Sequence, residues 1–149
     1  MIFKGVDNQS VEIQIRNYQF PQETICKYDS NWLLIYLKVQ STKGNWQTVD
    51  PALLTSEFKR IIEWFKNLSD NQTVSADLVF IEPNLEFMLI GDDQEIKTIR
   101  ILFDLEFRPE TADDENEYFV DCKMDSKELK RVSIALEKEL ENYPERATG

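Results

Sequence analysis

The clearest structural pattern in the chain is IRILFDLEF, residues 99–107, in which every second residue is apolar. The apolar positions run from Ile99 to Phe107 on one parity, and the other parity is mainly polar. A period of two is typical of a strand that buries one face. We therefore predict one strand over the whole segment. Asp104 and Glu106 would share its polar face, about 7 Å apart.

Similar alternation recurs on both sides of this segment, at residues 11–15, 85–89 and 118–122. A change of parity after the first of these predicts a bulge near Asn17. Residues 32–39 are apolar at both parities, which indicates a central strand covered on both faces. The connections are of hairpin length and favour antiparallel pairing.

Two segments have helical rather than strand periodicity. Apolar residues between Leu54 and Leu68 recur at three- and four-residue spacing, and we expect Asp50 and Pro51 to begin this helix. A second helix begins at Asp125 with a capping-box-like pattern. The predicted fold class is α+β: a mainly antiparallel sheet of about seven or eight strands and two amphipathic helices, in the order ββββ-α-ββββ-α, with the helices on one face.

The length of 149 residues is that of one domain, and we expect a single domain over 1–149 with a flexible tail at 145–149. The amino terminus shows no apolar signal segment, and the longest uncharged apolar run, 32–37, is far too short to span a membrane. These features predict a cytoplasmic protein with no membrane partner. Cys26 and Cys122 are expected to be reduced, partly buried thiols.

The composition excludes several kinds of chemistry. Histidine is absent, which rules out Ser-His-Asp triads and histidine zinc ligands. The four glycines are isolated, so no phosphate-binding glycine loop can form. A net charge of −11 disfavours binding to nucleic acid. We therefore expect no catalytic residue, no metal and no cofactor.

Acidic residues are concentrated from the end of the segment quoted above to the start of the strand that follows it. We call these seven residues the acidic surface: Asp104, Glu106, Glu110, Asp113, Asp114, Glu115 and Glu117. Such a concentration focuses negative potential and would steer a basic partner. It is equally compatible with ordinary solubilising charge.

Four further side chains have a structural and a functional interpretation. Trp32, Trp64 and Cys122 lie in apolar patterns, and core packing is the default for each. Trp46 lies beside a turn and is the tryptophan that we expect to be the most exposed. A nucleophilic Cys122 would have no histidine to activate it.

Several short segments follow one another in an order that resembles one bacterial family. They are YDSNWL at 28–33, DPALLT at 50–55 and EPNLEF at 82–87, followed by ILFDLEF at 101–107 and YFVD at 118–121. Together they resemble the WapI-like immunity proteins. The resemblance implies a non-catalytic inhibitor that binds the toxin domain of a wall-associated, contact-dependent polymorphic toxin. Toxins of this class are often nucleases, which are typically basic, so the acidic surface is the expected contact.

The residues that carry the resemblance are interpreted mainly as structural. They are Tyr28, Asp29, Asn31, Trp32, Asp50, Pro51, Glu82, Pro83 and Asn84. Pro83 and Asn84 suit a turn, and Asp29 and Asn31 suit local backbone hydrogen bonds.

Two alternatives to the immunity interpretation remain open. A general interaction or homo-oligomerisation module could pair through an exposed sheet edge. A carboxylate hydrolase or cation-binding protein could use Asp104 with Glu106, or Asp113 to Glu115, although the latter lack EF-hand spacing.

Overall fold

The computed structural model describes residues 1–146. The first sheet contains β1 (Ile2–Lys4), β2 (Ser10–Tyr18), β3 (Trp32–Ser41) and β4 (Gly44–Leu54). Helix α1 (Thr55–Ser69) leads to the second sheet, which contains β5 (Asp77–Leu78), β6 (Leu85–Asp92), β7 (Ile96–Phe103) and β8 (Tyr118–Asp125). Helix α2 (Ser126–Leu140) follows. The predicted α+β class and the order ββββ-α-ββββ-α are confirmed.

The eight strands form two antiparallel sheets, in the orders β1-β2-β3-β4 and β5-β6-β7-β8, rather than the single sheet expected. The two sheets share one apolar core. Phe3 of β1, Phe65 of α1 and Phe87 of β6 meet there with ring centroids 5.5–5.9 Å apart. Each sheet therefore buries one face against the other sheet and the helices, as layered domains require.

Strand β3 is covered on one face, so the prediction of two covered faces is wrong. Leu33, Ile35, Leu37 and Val39 are fully buried. Trp32, Leu34 and Tyr36, on the other parity, stay partly exposed. Core packing for Trp32 is therefore also a wrong prediction.

The segment Asp50-Pro51 lies inside β4, not at the start of a helix. Leu33 pairs with Leu53 but Ile35 pairs with Asp50, so β4 bulges between these two pairs. A proline is tolerated at a bulge because no ladder hydrogen bond needs its missing N–H. Helix α1 begins at Thr55 instead, where the Glu57 carboxylate accepts the N–H of Leu54 at 3.0 Å.

Strand β7 ends at Phe103, four residues before the predicted end. Leu105 has a φ of 49°, and a short 3-10 turn, Leu105–Phe107, replaces the end of the strand. The Asp104 carboxylate accepts the N–H of Leu105 at 2.8 Å and stabilises this turn. Phe107 is nevertheless fully buried, which explains why the alternation of apolar and polar residues in the sequence continues beyond the end of β7.

Two local predictions are confirmed. The register of β2 against β3 shifts between Ile15 and Asn17, as the change of parity indicated. Asp125 caps α2 by accepting the N–H of Glu128 at 2.8 Å.

Arg146 is fixed by the segment between β2 and β3. Its guanidinium donates to three backbone carbonyls there, at 2.6–3.0 Å, and lies 3.6 Å from the ring centroid of Tyr18. The rest of the expected tail, residues 147–149, lies outside the described residues. Within residues 1–146, neither helix is long and apolar enough to cross a membrane.

Candidate functional site

The acidic surface occupies the connection between β7 and β8. All seven of its carboxylate side chains are exposed. The side chain of Asp114 keeps 93% of its surface accessible. The charge concentration identified in the sequence is therefore available to a partner.

The connection rests on aromatic side chains. The indole N–H of Trp46 donates to the carbonyl of Phe107 at 2.8 Å. Its ring meets Phe103 and Tyr118 edge-on, at centroid distances of 5.8 and 6.0 Å. Trp46 is half-buried, because this tryptophan of the first sheet packs against Phe103 and Tyr118 of the second sheet beneath the acidic surface.

Hydrogen bonds within the connection fix its shape. The N–H of Asp113 donates to the hydroxyl of Tyr118 at 3.1 Å. The Asp113 carboxylate accepts the N–H of Glu115 at 2.7 Å and the side-chain amide of Asn116 at 3.0 Å. The backbone is therefore ordered before any partner arrives.

Two cations offset part of the charge. The guanidinium of Arg108 lies 3.6 Å from Asp104 and 3.0 Å from Asp114. The ammonium of Lys43 donates to the backbone carbonyl of Glu117 at 2.8 Å rather than to its carboxylate. Within residues 1–146, five members of the surface form no ion pair: Glu106, Glu110, Asp113, Glu115 and Glu117.

The same-face pair of Asp104 and Glu106 does not form. Because β7 has already ended, Asp104 caps the 3-10 turn and Glu106 lies within it. The strand geometry on which the carboxylate-pair interpretation depended is therefore absent.

Asp50 of β4 lies beside this surface, although the charge pattern of the sequence did not include it. Burial raises the pKa of Asp50, and the nearby carboxylates of Glu106 and Glu82 raise it further. The side-chain amide of Asn84 opposes these effects by donating to the Asp50 carboxylate at 2.7 Å. The sequence did not reveal this extension of the acidic surface, because Asp50, Glu82 and Glu106 come from three separate segments of the chain.

The segments that carry the family resemblance meet in space. The backbone carbonyl of Asn31 accepts the N–H of Thr55 at 2.9 Å, and Asn84 bonds Asp50. Asn31 also exchanges side-chain hydrogen bonds with the backbone of Arg146, both at 2.7 Å. These are the contacts of side chains that hold a framework together.

The other residues of these segments differ in exposure. Tyr28 is 57% exposed, whereas Asn31 and Asn84 are buried. Asp29, Glu82 and Pro83 are exposed, and Trp32 and Pro51 are half-buried.

A sequence profile of the Immunity protein WapI-like family matches residues 1–144. The chain belongs to the WapI-like immunity protein family. This membership indicates a toxin-neutralising role and a toxin protein as the partner. No curated protein and no solved structure matches the chain.

The cysteines of this WapI-like protein lie in contrasting environments. Burial, with Asp121 and Glu128 nearby, raises the pKa of Cys122 to about 12, which fits the predicted core role. Cys26 is exposed, so its predicted partial burial is wrong. Within residues 1–146, no group of three or more cysteine and carboxylate side chains is arranged to hold a metal ion.

Proposed function

We propose that this WapI-like protein binds a cognate basic toxin domain, such as a nuclease, in the cytoplasm and neutralises it without catalysis. The acidic surface makes the contact. The observation that carries this proposal is the exposure of seven carboxylates in one connection, five of which form no ion pair within residues 1–146. Such a surface attracts a basic partner and favours the correct orientation on encounter.

The support beneath the acidic surface favours tight binding. Trp46, Tyr118 and Asp113 fix the backbone through hydrogen bonds, so little conformational entropy remains to be lost on association. Preorganisation of this kind suits a stoichiometric inhibitor.

Asn31 and Asn84 have a different role in this proposal. Both are buried and hydrogen-bonded within the protein, so they stabilise the fold rather than touch the toxin. Asn84 does so beside the acidic surface, since its backbone carbonyl accepts the N–H of Asp104 at 2.9 Å. Toxin specificity then resides in exposed side chains.

Co-expression with the product of the gene immediately upstream tests the proposal. We expect the two proteins to elute together at equal stoichiometry and the growth arrest caused by the toxin to be relieved. A neighbour that arrests growth but neither binds nor is neutralised would contradict the proposal.

A homo-oligomerisation module is the competing function. The uncovered face of the first sheet favours it, since Val49 is 49% exposed and pairs with Tyr36 across β3 and β4. Light scattering distinguishes the two, because this module would show a mass that rises with protein concentration. The immunity proposal needs no self-association.

A further inference from the structure

A groove of about 500 Å³ lies between α1 and α2, and its lining shares no residue with the acidic surface. The helices are antiparallel, since the Ser126 hydroxyl at the start of α2 donates to the carbonyl of Ser69 at the end of α1. The groove lies at the opposite end of this pair. Its apolar lining consists of Ile62, Leu140 and Pro144.

The remaining lining of the groove is strongly acidic. Glu63 lies in α1 and Glu137 lies in α2. Glu141 is the residue directly after α2, and Glu145 follows it in the chain. All four are exposed, and within residues 1–146 none forms an ion pair. Lys59 is the one cation among the lining residues.

We propose that this groove, which we call the interhelical groove, docks a segment of the cognate toxin in which an apolar side chain is flanked by lysine or arginine. The inference rests on the proposed function and assigns it a second contact. The apolar side chain would cover Ile62 and Leu140, and the basic side chains would face the carboxylates on either side. This is the helix-in-groove type of recognition, combined with charge complementarity.

The size and charge of the groove favour this occupant over two others. Its volume lies within the range of roughly 300–1,000 Å³ that is typical of ligand clefts, enough for a bulky side chain. Four carboxylates against one ammonium disfavour an acidic ligand. A second copy of this chain is disfavoured as well, because each copy carries a charge of −11.

The interhelical groove and the acidic surface share no residue, so they can be tested separately. A groove variant, Glu63→Gln, Glu137→Gln, Glu141→Gln and Glu145→Gln, removes the charge but keeps side-chain size. A matched control, Asp7→Asn, Asp70→Asn, Asp77→Asn and Glu95→Gln, removes the same charge at exposed positions outside both surfaces. Thermal unfolding of both variants checks that they fold.

Calorimetric titration with the toxin that co-purifies gives the Kd. We expect the groove variant to bind about tenfold more weakly, while the control stays within about twofold of wild type. Lys59→Gln removes the opposing cation and should tighten binding. Hydrogen exchange should show protection at 59–63 and 137–141 in the complex.

Each other outcome has a distinct meaning. If the wild type binds the toxin and the groove variant binds equally well, without protection of these segments, the groove inference is overturned and the proposed function stands. If the wild type does not bind the toxin, both are overturned. If residues 59–63 and 137–141 of the free protein become protected from hydrogen exchange at high protein concentration, the groove binds a second copy of this chain, and the inference is also overturned.

Discussion

The side-chain amide of Asn84 donates a 2.7 Å hydrogen bond to the carboxylate of Asp50 and so joins the second sheet to the bulge of β4. Asp50 also lies near the carboxylates of Glu106 and Glu82, which raise its pKa together with burial. The hydrogen bond from Asn84 therefore offsets part of the free-energy cost of keeping the Asp50 carboxylate ionised.

Replacement of Asn84 by Ala should lower the free energy of unfolding by about 1–3 kcal/mol, because the half-buried Asp50 carboxylate loses its donor. Urea unfolding at neutral pH measures this loss. The double variant with Asp50→Asn provides the control, since removal of the charge should recover part of the stability. Equal stability of Asn84→Ala and the wild type would show that the bond contributes nothing.

The same carboxylate predicts a pH dependence of stability. The pKa of Asp50 is raised in the folded state, so its ionisation costs stability that is regained at low pH. The stability of Asp50→Asn relative to wild type should therefore increase as the pH rises from about 4 to 7. Urea unfolding of both proteins across this range measures the difference. A constant difference would contradict the assigned cause.

Arg146 should order the segment between β2 and β3. Arg146→Lys keeps the charge but loses the forked geometry that reaches three carbonyls at once. We expect faster amide hydrogen exchange in residues 20–31, with the acidic surface unchanged. Unaltered exchange in that segment would show that the bonds of Asn31 suffice.

The two cysteines should differ in reactivity. Cys26 is exposed, whereas Cys122 is buried and its pKa is raised to about 12. A thiol reagent at about pH 8 should therefore modify one cysteine quickly in the native protein and both in denaturant. Cys26→Ser is the control and should abolish the fast phase. A fast native phase in that variant would contradict the burial of Cys122.

The sequence predicts the elements that depend on local patterns. The parity change near Asn17, the cap at Asp125 and the apolar stripe of α1 were all visible, because each is set by neighbours within a few residues. The ends of β7 and β4 were not. Leu105 adopts a left-handed backbone conformation, which the alternation of apolar and polar residues does not reveal. Pro51 occupies a bulge that depends on how β4 pairs with β3.

One part of the candidate site is visible in the sequence, and another part is assembled only by the tertiary structure. The acidic surface is continuous in sequence and was found from its charge. Asp50 and Glu82 join it only through tertiary structure, and Trp46 supports it from the other sheet. The interhelical groove was hidden for the same reason, because its carboxylates come from α1 and from the end of α2 with the residues that follow it, which are far apart in the chain.

The acidic surface is proposed to steer a basic toxin, and the rate at which the protein and the toxin associate tests this most directly. Stopped-flow measurement over a range of ionic strength should compare wild type with a variant carrying Glu106→Gln, Glu110→Gln, Glu115→Gln and Glu117→Gln. These four carboxylates form no ion pair within residues 1–146, so the fold should persist. We predict association slower by about tenfold or more at low salt and a flatter salt dependence. The same rate and the same salt dependence in both proteins would contradict the account.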